Sequence, residues 1–235
     1  MKKVVGVIAV ALSLSMMMSG CLMNLSSGKK SSNNASKEFK SYTDDAKKQG
    51  KDIFDASLAD EKQLKKIKKS SSIMDGLGEF DDAVYYQFNR GSVKEIELTS
   101  KKVDGDDMEN VFFLRASDGD DAIVAIDIFQ FSDEDLAEEY FDEQCDNWSI
   151  ESIGYDEPIH TGSMDVGMKE GKDYYAGIVA SSSYDQAQSV FVKLDGDTVV
   201  IVLYYGTYES GYLEDFFTLL DEMDLVDMEK VMKES

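Results

Sequence analysis

Residues of the types that carry nucleophilic or metal chemistry are scarce in this sequence of 235 residues. It contains one histidine, His160, and two cysteines, Cys21 and Cys145. A Ser-His-Asp or Cys-His site would therefore have to use His160. The sequence has no Gly-x-Ser-x-Gly elbow, no His-Glu-x-x-His zinc motif and no phosphate-binding P-loop. It therefore predicts no catalytic and no cofactor-binding residue.

Clustered carboxylates are the remaining candidates for metal binding. Asp156 and Glu157 could share a metal ion with His160, but the proline between them and the histidine forbids a regular helix. This stretch therefore reads better as a polar surface loop. Residues 103–110 and 117–121 are rich in acids but lack the EF-hand spacing with its distant Glu. Turn chemistry explains their Asp-Gly pairs, and no metal site is predicted.

Three pairs of adjacent tyrosines are candidates for a binding surface, at positions 85–86, 174–175 and 204–205. Successive side chains of a strand point to opposite faces of the sheet. One tyrosine of each pair should therefore face a helix layer, and the other should face outward. Outward tyrosines could bind a peptide or a glycan. Ordinary cross-strand packing is the interpretation that the pattern favours.

Cys21 follows an N-terminal segment organised like a secretory signal. Residues 2–3 are lysines, and residues 4–18 form an apolar run. The stretch Met18-Ser19-Gly20-Cys21 resembles the lipobox of bacterial lipoproteins, whose commonest form is Leu-(Ala/Ser)-(Gly/Ala)-Cys. Its last three residues match that form, and a methionine replaces the usual leucine.

This resemblance implies a lipid anchor. The Cys21 thiol would receive a diacylglyceryl group, and cleavage would remove the signal peptide, residues 1–20, so that Cys21 becomes the first mature residue. Two or more acyl chains anchor a protein stably, whereas one chain alone is marginal. Two alternatives stay open. Residues 4–25 could form an uncleaved membrane helix, since their length only just reaches the roughly 20 residues that such a helix needs. Alternatively, Cys21 could be an incidental residue in an ordinary signal peptide.

The second cysteine differs from the first. If Cys21 belongs to the anchor, the folded part keeps a single thiol and forms no internal disulfide. Cys145 lies in a helical pattern with no base nearby in sequence. It is therefore predicted to be a small buried apolar residue.

Charge is unevenly distributed along the chain, whose formal net charge is −23. Residues 29–69 carry twelve Lys against seven acids, and residues 70–235 carry ten Lys or Arg against forty acids. This division predicts a basic stalk and an acidic body. The body would be repelled by nucleic acid. The stalk would be attracted to an anionic bilayer by about 1 kcal/mol per nearby Lys. Alternatively, the acidic surface serves solubility alone.

Composition divides the remaining chain into three parts. Residues 21–42 are rich in Ser, Asn and Lys and predict a flexible tether. Residues 43–70 predict a Lys-rich amphipathic helix with a sparse apolar stripe, either packed weakly on the domain or acting as a spacer. Residues 71–235 predict an acidic α+β domain, and a hydrophobic fraction of 43% for the whole chain allows a core.

The domain is predicted to be a mainly antiparallel sheet built from hairpins and covered by two helices. Its strand patterns are AVYYQF, VKEIELTS, NVFFLRA, AIVAIDIFQF, DYYAGIVAS, QSVFVKL and TVVIVLYY. The predicted helices span 132–145 and 212–225, and helices collected on such a sheet make a two-layer α+β domain. The element order is similar to that of the PsbP/Mog1-like group, from which no site residue is carried over.

Two units in the domain share one order: strand, Asp-Gly turn, strand, helix. The first runs from residue 111 to 145 and the second from 189 to 225. A duplication would explain the similarity. Because residue identity outside the turns is slight, the sequence favours instead a repeated way of covering a sheet with helices.

Together these features predict a lipid-anchored extracytoplasmic protein of the bacterial cell membrane. With no assembled catalytic motif, it is predicted to be a non-enzymatic binding or accessory lipoprotein, with a protein or glycan partner in the envelope. The alternatives are an extracytoplasmic hydrolase, which would use His160 or a carboxylate pair, and a small-molecule sensor module.

Overall fold

The strands in the described part of the chain assemble into one sheet of nine strands. The computed structural model describes residues 35–67, 69, 83–89, 100, 102–118, 122–149, 151–152, 155, 159–161, 163–208, 211–226, 228 and 230. The strands are β1 (Ser57–Leu58), β2 (Val84–Asn89), β3 (Met108–Asp118), β4 (Ala122–Phe131), β5 (Ile159–Thr161), β6 (Met164–Glu170), β7 (Tyr174–Ser181), β8 (Gln186–Asp195) and β9 (Thr198–Gly206).

The sheet order is β1-β2-β3-β4-β9-β8-β7-β6-β5. Every neighbouring pair is antiparallel except β1 with β2. Two meanders, β2–β4 and β5–β9, therefore meet where β4 pairs with β9. The predicted antiparallel α+β sheet is confirmed. The Asp-Gly turn between β8 and β9 also forms, with Gly196 at φ 58° in the left-handed region that glycine favours.

Helices cover both faces of this sheet, so the domain has three layers and not the two that we expected. They are α1 (Lys37–Phe54), α2 (Glu61–Ile67), α3 (Glu134–Trp148) and α4 (Tyr212–Glu222). On one face, α1 and α4 pack over the even-numbered residues of β4 and β9. On the other face, α3 and the end of α2 pack over the odd-numbered residues. The central strands are apolar on both sides, and each side needs a cover.

The N-terminal helix corrects two boundaries that the sequence suggested. It begins at Lys37 and not at residue 43, and it is part of the domain and not a separate helix, because Phe39, Tyr42 and Ala46 lie in the core. Gly50 lets it approach the sheet closely, since a Cβ there would overlap the Leu114 side chain. These apolar residues stand alone among Ser, Lys and Asp, so composition alone suggested a tether.

The predicted single helix over 43–70 is in fact two helices joined by an edge strand. Asp55 ends α1 in the left-handed conformation. β1 then pairs with β2, and Asp60 starts α2 by accepting hydrogen bonds from the backbone N–H groups of Lys62 and Gln63, both at 2.8 Å. Between its two helices the chain passes from one face of the sheet to the other, with Ala56 in one core and Ala59 in the other.

The two similar hairpin–helix units have opposite handedness. β4 and β9 are antiparallel neighbours with β3 and β8 outside them. A two-fold axis perpendicular to the sheet would therefore superpose the β3–β4 hairpin on the β8–β9 hairpin. A rotation about that axis does not exchange the two faces of the sheet, so it would leave the helix of each unit on the same face. In the structure, α3 and α4 lie on opposite faces. The arrangement therefore favours two independent hairpin–helix units over the duplication of one unit.

No helix in the described part of the chain is both long enough and apolar enough to cross a membrane.

Candidate functional site

The start of α1 is joined to the sheet by a set of buried and half-buried polar side chains. We call Ser36, Asn110, Gln130, Asp197 and Thr198 the attachment cluster. The Gln130 carboxamide oxygen accepts hydrogen bonds from the backbone N–H of Ser36 at 3.2 Å and from Asn110 Nδ2 at 2.7 Å. Gln130 Nε2 donates to Asp197 Oδ2 at 2.8 Å. The side-chain amide thereby joins the start of α1 to the ends of three strands.

The hydroxyl groups of the same cluster complete this connection. The Oγ of Ser36 lies 3.4 Å from Oγ1 of Thr198, which donates to Asp197 Oδ1 at 2.8 Å. Ser36 Oγ also accepts from the backbone N–H of Phe39 at 3.1 Å and so caps α1. Thr198 and Gln130 are buried. Since buried polar groups stabilise a fold only when they are paired, this network fixes where α1 begins.

A further hydrogen bond joins α1 to the end of β8, next to the turn between β8 and β9. The hydroxyl of Tyr42 donates to Asp195 Oδ2 at 2.9 Å. Burial raises the pKa of Tyr42, and the hydrogen bond to Asp195 and the nearby charges of Asp173 and Asp224 raise it further. Tyr42 therefore stays protonated and acts as a donor. The chain before Ser36 thus leaves the body at the end of the sheet where β4 ends and β9 begins.

A buried ion pair lies on the opposite face, inside the layer under α3. Arg115 Nη1 and Asp127 Oδ1 are 2.5 Å apart, and both residues are about nine-tenths buried. Arg115 Nη1 also donates to the carbonyl of Leu114 at 2.7 Å, and the guanidinium lies 5.6 Å from the centroid of the Phe113 ring. The pKa of Asp127 is raised because burial outweighs the opposing effect of Arg115.

Helix α3 surrounds this ion pair with further polar groups. Tyr140 packs edge-on against Phe129 with ring centroids 5.4 Å apart. Its pKa is raised by burial first and then by the charges of Asp127 and Glu143. Ser100 Oγ donates to Glu143 Oε2 at 2.6 Å. Because the two charges of the ion pair are buried and face each other, they hold β3 and β4 together and present no group to an outside ligand.

Three of the residues singled out in the sequence for lipid or metal chemistry lie outside the described part of the chain. They are Cys21, Asp156 and Glu157. His160 lies in the short edge strand β5, opposite Asp165 of β6. Within the described part of the chain, no group of three or more His, Cys, Asp or Glu side chains is arranged to hold a metal ion.

The acid-rich stretch at 103–110 has a structural role. Asp104 starts a 3₁₀ turn, Gly105–Asp107, and its backbone N–H donates to Asp107 Oδ2 at 2.9 Å. The carboxylates therefore cap the turn that leads into β3, in agreement with the turn interpretation of this sequence. Of the other stretch, 117–121, the last three residues lie outside the described part of the chain.

Cys145 lies on α3, packed partly against the core of that face. Burial, followed by the charges of Glu170, Asp142 and Asp146, raises the pKa of its thiol to about 12. A thiolate is the reactive form of cysteine, and the raised pKa keeps this thiol protonated at neutral pH.

The tyrosine pairs split between the two faces, and helices cover both of those faces. Tyr86 and Tyr175 are buried under the α3 side. Tyr85 packs on Phe112 with ring centroids 5.6 Å apart on the α1 side, where Tyr174 and Tyr204 also lie. The alternation between faces is as predicted. For the first two pairs, the outward binding platform that we considered is replaced by ordinary core packing.

The attachment cluster and the buried ion pair were both missed from sequence. Asp127 did carry a signal, because it is the only charged residue in the otherwise nearly apolar strand β4, and Arg115 carried a weaker one as the only cation in β3. Gln130 carried a weaker signal of the same kind. Their pairing depends on the register of β3 and β4, which the sequence alone does not set.

Comparison with known proteins gives likenesses to solved structures alone. No protein-family model matches the sequence, and no curated protein matches it significantly. Among solved structures, the chain is similar to the extracellular domain of PknH from Mycobacterium tuberculosis, with 12% identity, a TM-score of 0.38, and coverage of 72% of this chain and 98% of that one. At that TM-score the likeness assigns neither a family nor an activity.

Proposed function

We propose that this protein is a lipoprotein anchored by acyl chains on Cys21 to the extracytoplasmic face of a bacterial cell membrane. The observation that carries the proposal is the stretch Met18-Ser19-Gly20-Cys21, placed directly after a positive start and an apolar run. Small residues before the cysteine suit signal cleavage, and a doubly or triply acylated cysteine gives stable membrane attachment.

The body is proposed to act as a binding or accessory module and not as an enzyme. Among the described residues, the polar groups of the attachment cluster are hydrogen-bonded to one another, Arg115 is paired with Asp127, and the Cys145 thiol is protonated at neutral pH. Its acidic surface disfavours nucleic acid and leaves a protein or a glycan of the envelope as the expected partner.

The distance between the lipid and the body is set by a short tether. Cys21 lies fourteen residues before Ala35, where the described part of the chain begins. A flexible Ser-rich chain of that length has a root-mean-square span of roughly 20 Å and reaches about 50 Å when fully extended. The attachment cluster receives this tether at one end of the sheet, so the body is held close to the membrane surface by that end.

The lipid anchor is tested by comparing two cysteine substitutions in cells. The full chain, Cys21→Ala and Cys145→Ala are expressed in a bacterium, and the protein is followed by detergent-phase partitioning and intact mass. We expect the unchanged chain and Cys145→Ala to enter the detergent phase with the mass of a chain cleaved before Cys21 and acylated. Cys21→Ala should keep the precursor mass. An unmodified thiol at Cys21 in the membrane-extracted protein would refute the proposal.

A further inference from the structure

Charges on the exposed face of α1 are separated into two flanks. Successive residues of a helix are about 100° apart, so position along the helix assigns each charge to a side. Four exposed lysines share one flank: Lys37, Lys40, Lys48 and Lys51. Acids occupy the other flank: Glu38, Asp45 and Asp52. Within α1, Asp44 is the acid that lies among the lysines, and it is 3.9 Å from Lys47 Nζ.

The lysine flank faces the β1–β2 edge of the sheet. Lys47 lies on this flank, and its Nζ donates to Gln87 Oε1 of β2 at 2.7 Å and lies 5.8 Å from the ring centroid of Tyr85, also in β2. Helix α2 follows β1 at the same edge and exposes three more lysines. We call this surface the basic edge, and its members are Lys37, Lys40, Lys48, Lys51, Lys62, Lys65 and Lys66.

Apart from Lys47, which is paired with Asp44, the lysines of the α1 flank are not neutralised by acids of the described residues. Within the described part of the chain, no ion pair is formed by Lys37, Lys40, Lys48 or Lys51. The other helices expose acids instead, which on α3 are Glu134, Asp135, Glu138, Glu139, Asp142 and Asp146 and on α4 are Glu214, Asp215, Asp221 and Glu222. The described surface therefore combines a lysine-rich edge, which also contains Asp44, Asp60 and Glu61, with an anionic remainder.

We propose that the basic edge docks on the anionic lipid surface of the membrane that carries the protein. This inference rests on the proposed anchoring at Cys21. Lipid phosphates attract the lysines and repel the acids of α3 and α4, and both forces favour the same orientation. The tether enters at Ser36, next to Lys37, so the anchor holds the basic edge near the bilayer at a high effective concentration.

Lysine acetylation rates on vesicles test this orientation. Residues 21–235 with Cys21→Ser carry an N-terminal hexahistidine tag and are held on phosphatidylcholine vesicles that contain a nickel-chelating lipid, with or without phosphatidylglycerol. Mass spectrometry gives the acetylation rate of each lysine. Lysines of the basic edge should react about fivefold more slowly when phosphatidylglycerol is present, the factor expected for the attraction of one lysine to such a surface. Lys193 of β8 and Lys172, in the turn before β7, lie four or five strands from β2, which is roughly 20 Å at the usual strand spacing. Their rates should therefore change much less than those of the basic edge.

Varying the salt concentration and the density of protein on the vesicles shows what the basic edge contacts. At about 1 M salt the Debye length falls to ~3 Å, so the protection should disappear. Equal rates with and without phosphatidylglycerol, or equal protection of Lys172 and Lys193, would overturn the proposal. Protection on phosphatidylcholine alone that grows with protein density would assign the basic edge to a second copy of the chain and would also overturn it.

Two variants of equal net charge separate the basic edge from a general charge effect. The first variant replaces four lysines of the basic edge with Gln: Lys37, Lys40, Lys48 and Lys51. The second replaces four lysines elsewhere with Gln: Lys102, Lys172, Lys193 and Lys230. The first should lose the protection of Lys62, Lys65 and Lys66, and the second should keep it; the reverse result would contradict the docking. Because the tag replaces the lipid, this experiment succeeds or fails independently of whether cells acylate Cys21.

Discussion

Asp127 and Arg115 illustrate how much a single pair of side chains can decide inside an apolar layer. Each charge loses its hydration on burial, and each recovers part of that loss from the other. A pair of this kind often contributes little net stability compared with two apolar residues of similar volume. Removing one partner alone is costly, because it leaves the other charge buried and unpaired.

We therefore expect opposite results from single and double substitution of this ion pair. Arg115→Met should lower the free energy of unfolding by about 3–5 kcal/mol at neutral pH, whereas Arg115→Met combined with Asp127→Leu should stay within about 1 kcal/mol of the unchanged protein or exceed it. Urea unfolding followed by Trp148 fluorescence measures both. A double variant as unstable as the single variant would mean that the pair is needed for packing and not only for charge balance.

The pH dependence of the single variant follows from the raised pKa of Asp127. A carboxyl whose pKa is higher in the folded state favours folding when it is protonated, and this contribution is lost as the pH rises through the folded pKa. Without Arg115 that pKa should rise further. The loss in Arg115→Met should therefore be smaller at pH 5 than at pH 8, as measured by unfolding at both pH values. A loss that grows on acidification would contradict this explanation.

At the scale of elements, α1 shows how a segment with little apolar content still becomes part of a core. Phe39 is fully buried between the helix and the sheet, and the attachment cluster fixes the first turn beside it. The helix thereby closes one face of β3, β4 and β9. It also couples the folding of the sheet to the position of Ser36, close to the start of the described part of the chain.

Truncation of Phe39 measures this coupling. Phe39→Ala should destabilise the whole domain by about 3–5 kcal/mol, the usual cost of removing a buried aromatic side chain. Lys40→Ala, one residue further and exposed, should change stability by no more than about 0.5 kcal/mol. Both are compared by urea unfolding. If Phe39→Ala unfolded with an unchanged midpoint, α1 would be an independent spacer, as its sequence suggested.

The sequence was informative about elements and much less about their arrangement. Period-two patterns identified most strands, and the helices at α3 and α4 were predicted near their observed bounds, because their apolar residues recur at helical spacing. The face that each helix covers could not be predicted, since β4 is apolar on both sides. The extent of α1 was missed because Phe39 and Tyr42 are isolated in a polar stretch, and only tertiary contact makes them core residues.

At the scale of the whole molecule, a formal charge of −23 on 235 residues acts on stability as well as on partners. Many like charges at short distance favour expansion of the chain, and this self-repulsion is part of the free energy that folding must overcome. Exposed charges are screened over about 10 Å at 0.1 M salt, so the effect depends on ionic strength.

The midpoint of thermal unfolding should therefore rise with salt. Calorimetry at about 0.01 M and about 1 M sodium chloride, where the Debye length falls from ~30 Å to ~3 Å, should give a higher Tm at high salt. Potassium chloride should give the same shift, because screening does not depend on which monovalent cation is used. A Tm that falls with salt would indicate that attractive ion pairs outweigh the repulsion among the acids.

The lengths of the outermost strands bear on how copies of the protein tolerate crowding. The described sheet ends in β1, with two residues, and in β5, with three. An exposed strand edge is a template on which another chain can add a strand, and short edge strands reduce the length available for such pairing. The proposed anchor at Cys21 would concentrate copies of the protein in one plane, where exposed edges could pair. Short edge strands would then limit the pairing of neighbouring copies.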